Sequence, residues 1–175
     1  MLYFNCSLLT EHSDRRCSDS VSISPADLVP KDANGLKFKL KKVDCALFLT
    51  PHPPFRAKIE RRLMALPEKD RSINQTNADF IRDLPLIASF ELKRQALGTN
   101  PLVQLGIWSA ALAERLGKLQ RQGGKESALM AIPVLSIVGH DWKIYYSYTT
   151  EEGERVRYRF LIFKSTAAHD ARYKC

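Results

Sequence analysis

The sequence predicts an α/β domain, on three observations. Short apolar runs with strand length and alternation occur at residues 42–49, 85–93, 132–138, 143–148 and 156–163. Between the second and third lies a long stripe at helical spacing, made by Leu105, Trp108, Leu112, Leu116 and Leu119. The chain has 175 residues, enough for one domain with a sizeable core.

Taken in order, residues 1–42 show no strong helical stripe and read as irregular and Ser/Asp-rich, as in Ser13-Asp14 and Ser18-Asp19-Ser20. The expected organisation is therefore an irregular segment at 1–40, a folded domain at 41–165 and a frayed tail at 166–175. The first strand, Lys42-Val43-Asp44-Cys45-Ala46-Leu47-Phe48-Leu49, points Val43, Cys45, Leu47 and Leu49 one way and Asp44 the other. Prolines at 51–54 end it and open a short amphipathic surface helix over 56–66, where Lys58, Arg61 and Arg62 sit beside Ile59, Leu63 and Met64. A polar loop at 67–83 follows. It has room for a short strand near Ser72-Ile73-Asn74-Gln75-Thr76 and is placed to border a cleft.

The second strand is Pro85-Leu86-Ile87-Ala88-Ser89-Phe90-Glu91-Leu92-Lys93. Alternation sends Glu91 and Lys93 to one side and gives Leu86, Ala88, Phe90 and Leu92 to a core. Asn100 and Pro101 then mark a helix start, and Gly123-Gly124 its end. Gly139-His140-Asp141 reads as a hairpin turn between two strands, and Glu151-Glu152-Gly153-Glu154 as another.

Chemistry enters at the end of the second strand. A carboxylate and an ammonium spaced two apart at a sheet rim suit metal-assisted hydrolysis, in which the acid holds a divalent cation and the lysine orients or deprotonates water. A solvated salt bridge is the plainer reading of Glu91 and Lys93 alone. Asp44 shifts the balance, because an aspartate in so apolar a run is costly to bury unless it is paired or binds metal. Two carboxylates on adjacent strands make an oxygen-rich, open site of the kind Mg²⁺ takes. A strand-end acceptor for a backbone N–H is the plainer reading of Asp44. Gln104, in the first turn of the long helix, either faces this site or is an ordinary surface glutamine.

Four blocks in order carry a resemblance: Asp44; Ile87-Ala88-Ser89-Phe90-Glu91-Leu92-Lys93-Arg94; Gln104-Leu105-Gly106-Ile107-Trp108; and Val138-Gly139-His140-Asp141-Trp142. Together they resemble the fungal branch of the PD-(D/E)xK nuclease-like domains, over about residues 41–163. The resemblance implies a restriction-endonuclease-like core, a mixed sheet flanked by helices. It implies that Asp44, Glu91 and the backbone carbonyl of Leu92 hold Mg²⁺ or Mn²⁺, that Lys93 is the catalytic lysine, and that Gln104 is the helix residue of the last active-site motif. Val43 stands where the proline of the motif name would be. Related domains usually open with a helix that carries another acidic site residue, and residues 1–42 offer no clear counterpart.

The implied activity is metal-dependent hydrolysis of phosphodiester bonds in nucleic acid, endo- or exonucleolytic, with DNA ahead of RNA. The alternative is a non-catalytic nucleic-acid-binding or protein-interaction module that keeps the fold. A rival acid-x-Lys triplet, Asp141-Trp142-Lys143, lies in the hairpin turn, where an aspartate more often bonds nearby backbone N–H groups. His140 beside it is more often structural than a phosphate contact.

The formal net charge of +8 favours polyanionic partners. Basic residues gather at 37–42, 56–62, 93–94, 115–121 and 155–159; the first, third and fourth groups are placed to flank the site. Cys6, Cys17, Cys45 and Cys175 form no C-x-x-C pair and suggest no zinc site. Cys45 is expected on a core-facing strand position as a reduced thiol. No apolar run reaches membrane-spanning length and no secretory leader is evident, so an intracellular protein of cytoplasm or nucleus is expected, with no membrane partner.

Overall fold

A computed structural model describes residues 22–32, 34–38, 42–94, 100–124 and 131–148, together with the backbone of 157–164. Residues 1–21, the acidic turn expected at 151–154 and the tail expected at 166–175 lie outside the described residues.

A five-stranded sheet in sequence order β1 to β5 organises the chain. The strands are β1 (Cys45–Phe48), β2 (Leu86–Lys93), β3 (Ile132–Val138), β4 (Asp141–Tyr148) and β5 (Arg157–Lys164). All neighbours are antiparallel except β2 and β3, which are parallel. A parallel step needs a crossover, and the helix α2 (Pro101–Gln122) supplies it. The sheet is therefore mixed and α/β, as expected.

The signals for α2 are local. Asn100 Oδ1 accepts the N–H of Leu102 at 2.9 Å, Pro101 occupies the first turn, and Gly123 caps the far end. Its buried face is rotated from the leucine stripe. It carries Leu105, Trp108 and Leu112 but also Ile107, Ala111 and Arg115, while Leu116 and Leu119 are only half-buried. One core cluster packs Ile107, Trp108 and Ala111 against Ile23, Leu28 and Val29. The segment read as irregular therefore supplies core residues through the short 3-10 turn Ala26–Leu28. A second cluster joins Leu105 to Val134 and Tyr145, with Val43 and Leu102 against it.

The second cluster decides which face of the sheet α2 covers. Ser89, Val134 and Tyr145 pair across three strands and so share a face. That is also the face of Glu91. The expectation that Leu86, Ala88, Phe90 and Leu92 fill the core needs correction: Ala88 is buried, but Leu92 is 48% exposed. The better-buried side of β2 is Ser89 and Glu91, because the helix packs there.

The helix α1 (Pro53–Met64) lies at the margin of the fold, with only Leu63 buried. The first strand is shorter than its sequence run: Asp44 precedes it in a bend, and Leu49 beyond it is exposed. The loop at 67–83 contains the short 3-10 turn Glu68–Asp70 and no strand. Ser72, Asn74, Gln75 and Thr76 are buried in it. Arg115, expected among cations flanking the site, is 1% exposed and holds this loop by donating to the carbonyls of Ser72 (2.7 Å) and Asp70. Arg115 is eleven residues beyond Gln104, or about 16 Å along the helix. The part of the loop at Asp70 and Ser72 therefore sits toward the far end of α2.

Candidate active site

Glu91 is carried near the C-terminal end of β2, and its side chain is 0% exposed. Lys93, two residues on and on the same face, places Nζ 2.8 Å from Glu91 Oε1 as an ion pair and is itself partly exposed. The carboxylate is thus charge-paired on one oxygen, and the backbone N–H of Asp44 is its other favourable contact, a thin compensation for a fully buried acid.

Asp44 approaches from the neighbouring strand. Cys45 pairs with Phe90 and Ala46 with Ser89. One further step of that register sets Asp44 across from Glu91. Its Oδ2 accepts the backbone N–H of Leu92 at 2.8 Å, so the aspartate is fixed at the edge of β2 while remaining exposed. This is the backbone contact that a strand-end aspartate suggests, and it also holds the second acid beside the first.

The electrostatics agree with that proximity. Burial pushes the Glu91 carboxyl above its ordinary range, the Lys93 contact pulls it back, and the negative charge of Asp44 adds to the rise. Lys93 is held above its ordinary value first by its contact with Glu91, then by the charges of Glu91 and Asp44, against some loss of hydration. An ammonium so stabilised stays protonated near neutral pH. It can donate hydrogen bonds and offset negative charge, but it is a poor base.

Gln104 donates from Nε2 to the carbonyl of Lys42, two residues before Asp44. It therefore ties the first turn of α2 to the segment that carries the aspartate. The same contact brings the positive N-terminal end of the helix to the acidic cluster. The hairpin between β3 and β4 closes the site on another side. Its turn is Gly139-His140, and Gly139 donates its N–H to the carbonyl of Lys93 at 2.8 Å. Gly139 has φ +58°, a left-handed conformation that glycine adopts without strain.

All of the residues singled out from sequence, Asp44, Glu91, Leu92, Lys93 and Gln104, thus lie at one end of the sheet. Sequence reasoning missed the tether from Gln104 to Lys42 and the pairing of Glu91 with buried Ser136 on β3. The buried role of Arg115 did have a signal, since Trp108, Leu112 and Arg115 are spaced i, i+4, i+7.

The family model of the PD-(D/E)XK nuclease superfamily matches residues 4–174. The chain belongs to the PD-(D/E)XK nuclease superfamily. No curated protein and no solved structure shows significant similarity to it. Membership agrees with the mixed sheet and the helix crossover, which form a restriction-endonuclease-like core. Nucleases of this superfamily generally use divalent metals, and nucleic acid is their substrate class.

The donor set can be tested against a metal directly. No group of three or more His, Cys, Asp or Glu residues converges among the described residues. What the site offers is two carboxylates, one buried and one exposed, beside the backbone of a strand end. That set is too poor in nitrogen and sulfur for zinc and too sparse for a closed calcium cage. It is compatible with a hard divalent cation that binds through one or two carboxylates and keeps several waters. Among the described residues no helix is long and apolar enough to cross a membrane.

Proposed function

We propose that this chain is a metal-dependent nuclease that hydrolyses phosphodiester bonds in nucleic acid, with Asp44, Glu91 and the Leu92 carbonyl as the residues that would hold Mg²⁺ or Mn²⁺. The observation that carries the proposal is Glu91: a fully buried carboxylate at a strand end, beside a second carboxylate and a lysine. A divalent cation, when bound, would supply the positive charge that activates water and polarises the phosphoryl group. The protein's own groups do the positioning. Lys93, kept protonated, orients the attacking water and offsets charge that develops on the phosphoryl oxygens. Gln104 holds the Asp44 segment in register with β2, and the Leu92 N–H fixes the aspartate's orientation. We place the chain in the fungal branch on its four sequence blocks and inside the cell, with DNA ahead of RNA as substrate.

The second reading is a binding module that has kept the fold. The Lys93–Glu91 ion pair favours it, because that pair neutralises the buried acid without any metal. Cleavage assays on labelled single- and double-stranded DNA and RNA, with Mg²⁺, Mn²⁺ or EDTA, separate the two. The nuclease reading expects metal-dependent cleavage that disappears in Glu91→Gln. Metal-independent binding with no cleavage of any substrate would leave the binding module.

A further inference from the structure

We propose that Lys143, in the side-chain row that runs through Ser136, forms a second phosphate subsite for the phosphate next to the scissile one. The proposal rests on the nucleic-acid reading above and adds to it a residue outside the Asp44, Glu91, Lys93 and Gln104 set.

The placement follows from two strand registers. Glu91 pairs with Ser136 across the parallel step, and Ser136 pairs with Lys143 across the hairpin. Laterally paired residues share a face, so Glu91, Ser136 and Lys143 form one row, and Asp44 extends it on the other side. The next row toward the opposite end of the sheet is Ser89, Val134 and Tyr145, which Leu102 and Leu105 cover from the first turns of α2. Two residues of strand advance about 6.7 Å. The Glu91–Ser136–Lys143 row therefore emerges at the start of the helix, beside its positive end.

Charge and spacing select the ligand. Lys143 is half-buried and makes no ion pair among the described residues; the other described cations without one are exposed, except Arg71, which donates to the Leu66 carbonyl. A half-buried ammonium with no carboxylate paired to it among the described residues can take an anionic ligand. Strands about 4.8 Å apart put β4 about 9.6 Å from β2. Lys143 thus stands beside a phosphate held at Glu91 rather than on it, which matches the neighbouring phosphate of the same strand. Asp141 is exposed one row further out, across from Val138 and in line with Lys93, so it bounds the subsite with a negative charge.

The test uses the full chain in EDTA, where nothing is cleaved, and labelled single- and double-stranded oligonucleotides. Affinity is measured over a salt series for wild type, Lys143→Gln, Lys143→Met, Lys143→Arg and Lys58→Gln, the last on α1 away from the site. Each phosphate contact contributes about 0.7–0.9 to the slope of log K against log salt. Both neutral Lys143 variants should lose about that much slope, Lys143→Arg should keep it, and Lys58→Gln should match wild type. Wild-type slope in a folded neutral Lys143 variant overturns the subsite, as does an equal loss in Lys58→Gln. No binding by wild type overturns the nucleic-acid reading itself and the subsite with it.

Discussion

Glu91→Gln should uncouple the stability of this protein from divalent metal. The carboxylate is fully buried and faces the charge of Asp44. Without metal its burial is offset mainly by Lys93. The amide keeps the shape and removes both the buried charge and the ion pair, two effects of opposite sign. Metal-free stability should therefore move by no more than about 1–2 kcal/mol. With metal the variants part. A cation at one hundred times its Kd stabilises the wild type by about 2.7 kcal/mol. For a chain of this size that raises Tm by about 5–11 °C, and Glu91→Gln should show almost none of it. The pH dependence adds a second signature. Because burial raises the folded-state pKa of Glu91, the metal-free native state binds more protons than the unfolded state in the window above the ordinary carboxylate value of about 4.3. Stability from this group is full below that window and is lost as pH rises through the raised pKa, while the metal increment grows over the same range as the acid ionises. Scanning calorimetry of both proteins in EDTA, Mg²⁺ and Mn²⁺, from pH 5 to 8, reads all of this. Equal metal shifts in wild type and variant, or none in wild type, would refute the assignment of Glu91 as a ligand.

Further outcomes follow from the same geometry. Lys93→Ala should abolish cleavage with little change in oligonucleotide affinity, and circular dichroism should show an intact fold because the side chain is partly exposed. Asp44→Asn should also abolish cleavage and reduce the metal-induced rise in Tm. Gln104→Glu, which loses the amide that donates to Lys42, should lower turnover about ten- to a hundredfold through misplacement of Asp44, with KM changed less than kcat. Arg115→Met should cost about 3–5 kcal/mol in urea unfolding, because it strips the buried carbonyls of Ser72 and Asp70 and the carboxylate of Asp70 of their partner; activity per folded molecule should be unchanged.

The parts of the fold that were legible in the sequence are those set by local chemistry. Asn100, Pro101 and Gly123 bound α2 because caps and prolines act within one turn. The Gly139 turn was legible because a left-handed residue between two apolar runs marks a hairpin. Alternation within β2 grouped Glu91 with Lys93 correctly. It did not say which side the helix covers, because a strand with Ala88 and Leu92 on one side and Ser89 and Glu91 on the other looks amphipathic in the ordinary sense. The polar side is the buried one here. That inversion comes from tertiary packing, since α2 brings Leu102 and Leu105 down on Val134 and Tyr145 and encloses the adjacent acid. The same limit hid the core role of Ile23, Leu28 and Val29, whose segment lacks any period, and the use of Arg115 as a buried brace for the 67–83 loop, where a cation flanking the site was expected.

That inversion is also what gives the site its chemical character. A carboxylate on the open face of a sheet is solvated, has an ordinary pKa and holds magnesium weakly. Glu91 is instead desolvated by the helix crossover that the parallel β2–β3 step requires, while Asp44 stays exposed at the sheet edge on the Leu92 N–H. One acid therefore gains strongly from a counter-cation and the other keeps the site open to water and phosphate. The lysine two residues along β2 can neutralise the first acid or face a substrate. Which it does depends on whether another cation has taken the carboxylate. In a nuclease with this arrangement a bound cation would neutralise Glu91, and Lys93, now paired to it, would be left to face the phosphate. Infrared difference spectra should show the Glu91 carboxylate stretch shift on adding Mg²⁺ in Lys93→Met as well as in wild type. A shift that requires Lys93 would mean the lysine, and not the metal, is the carboxylate's working partner.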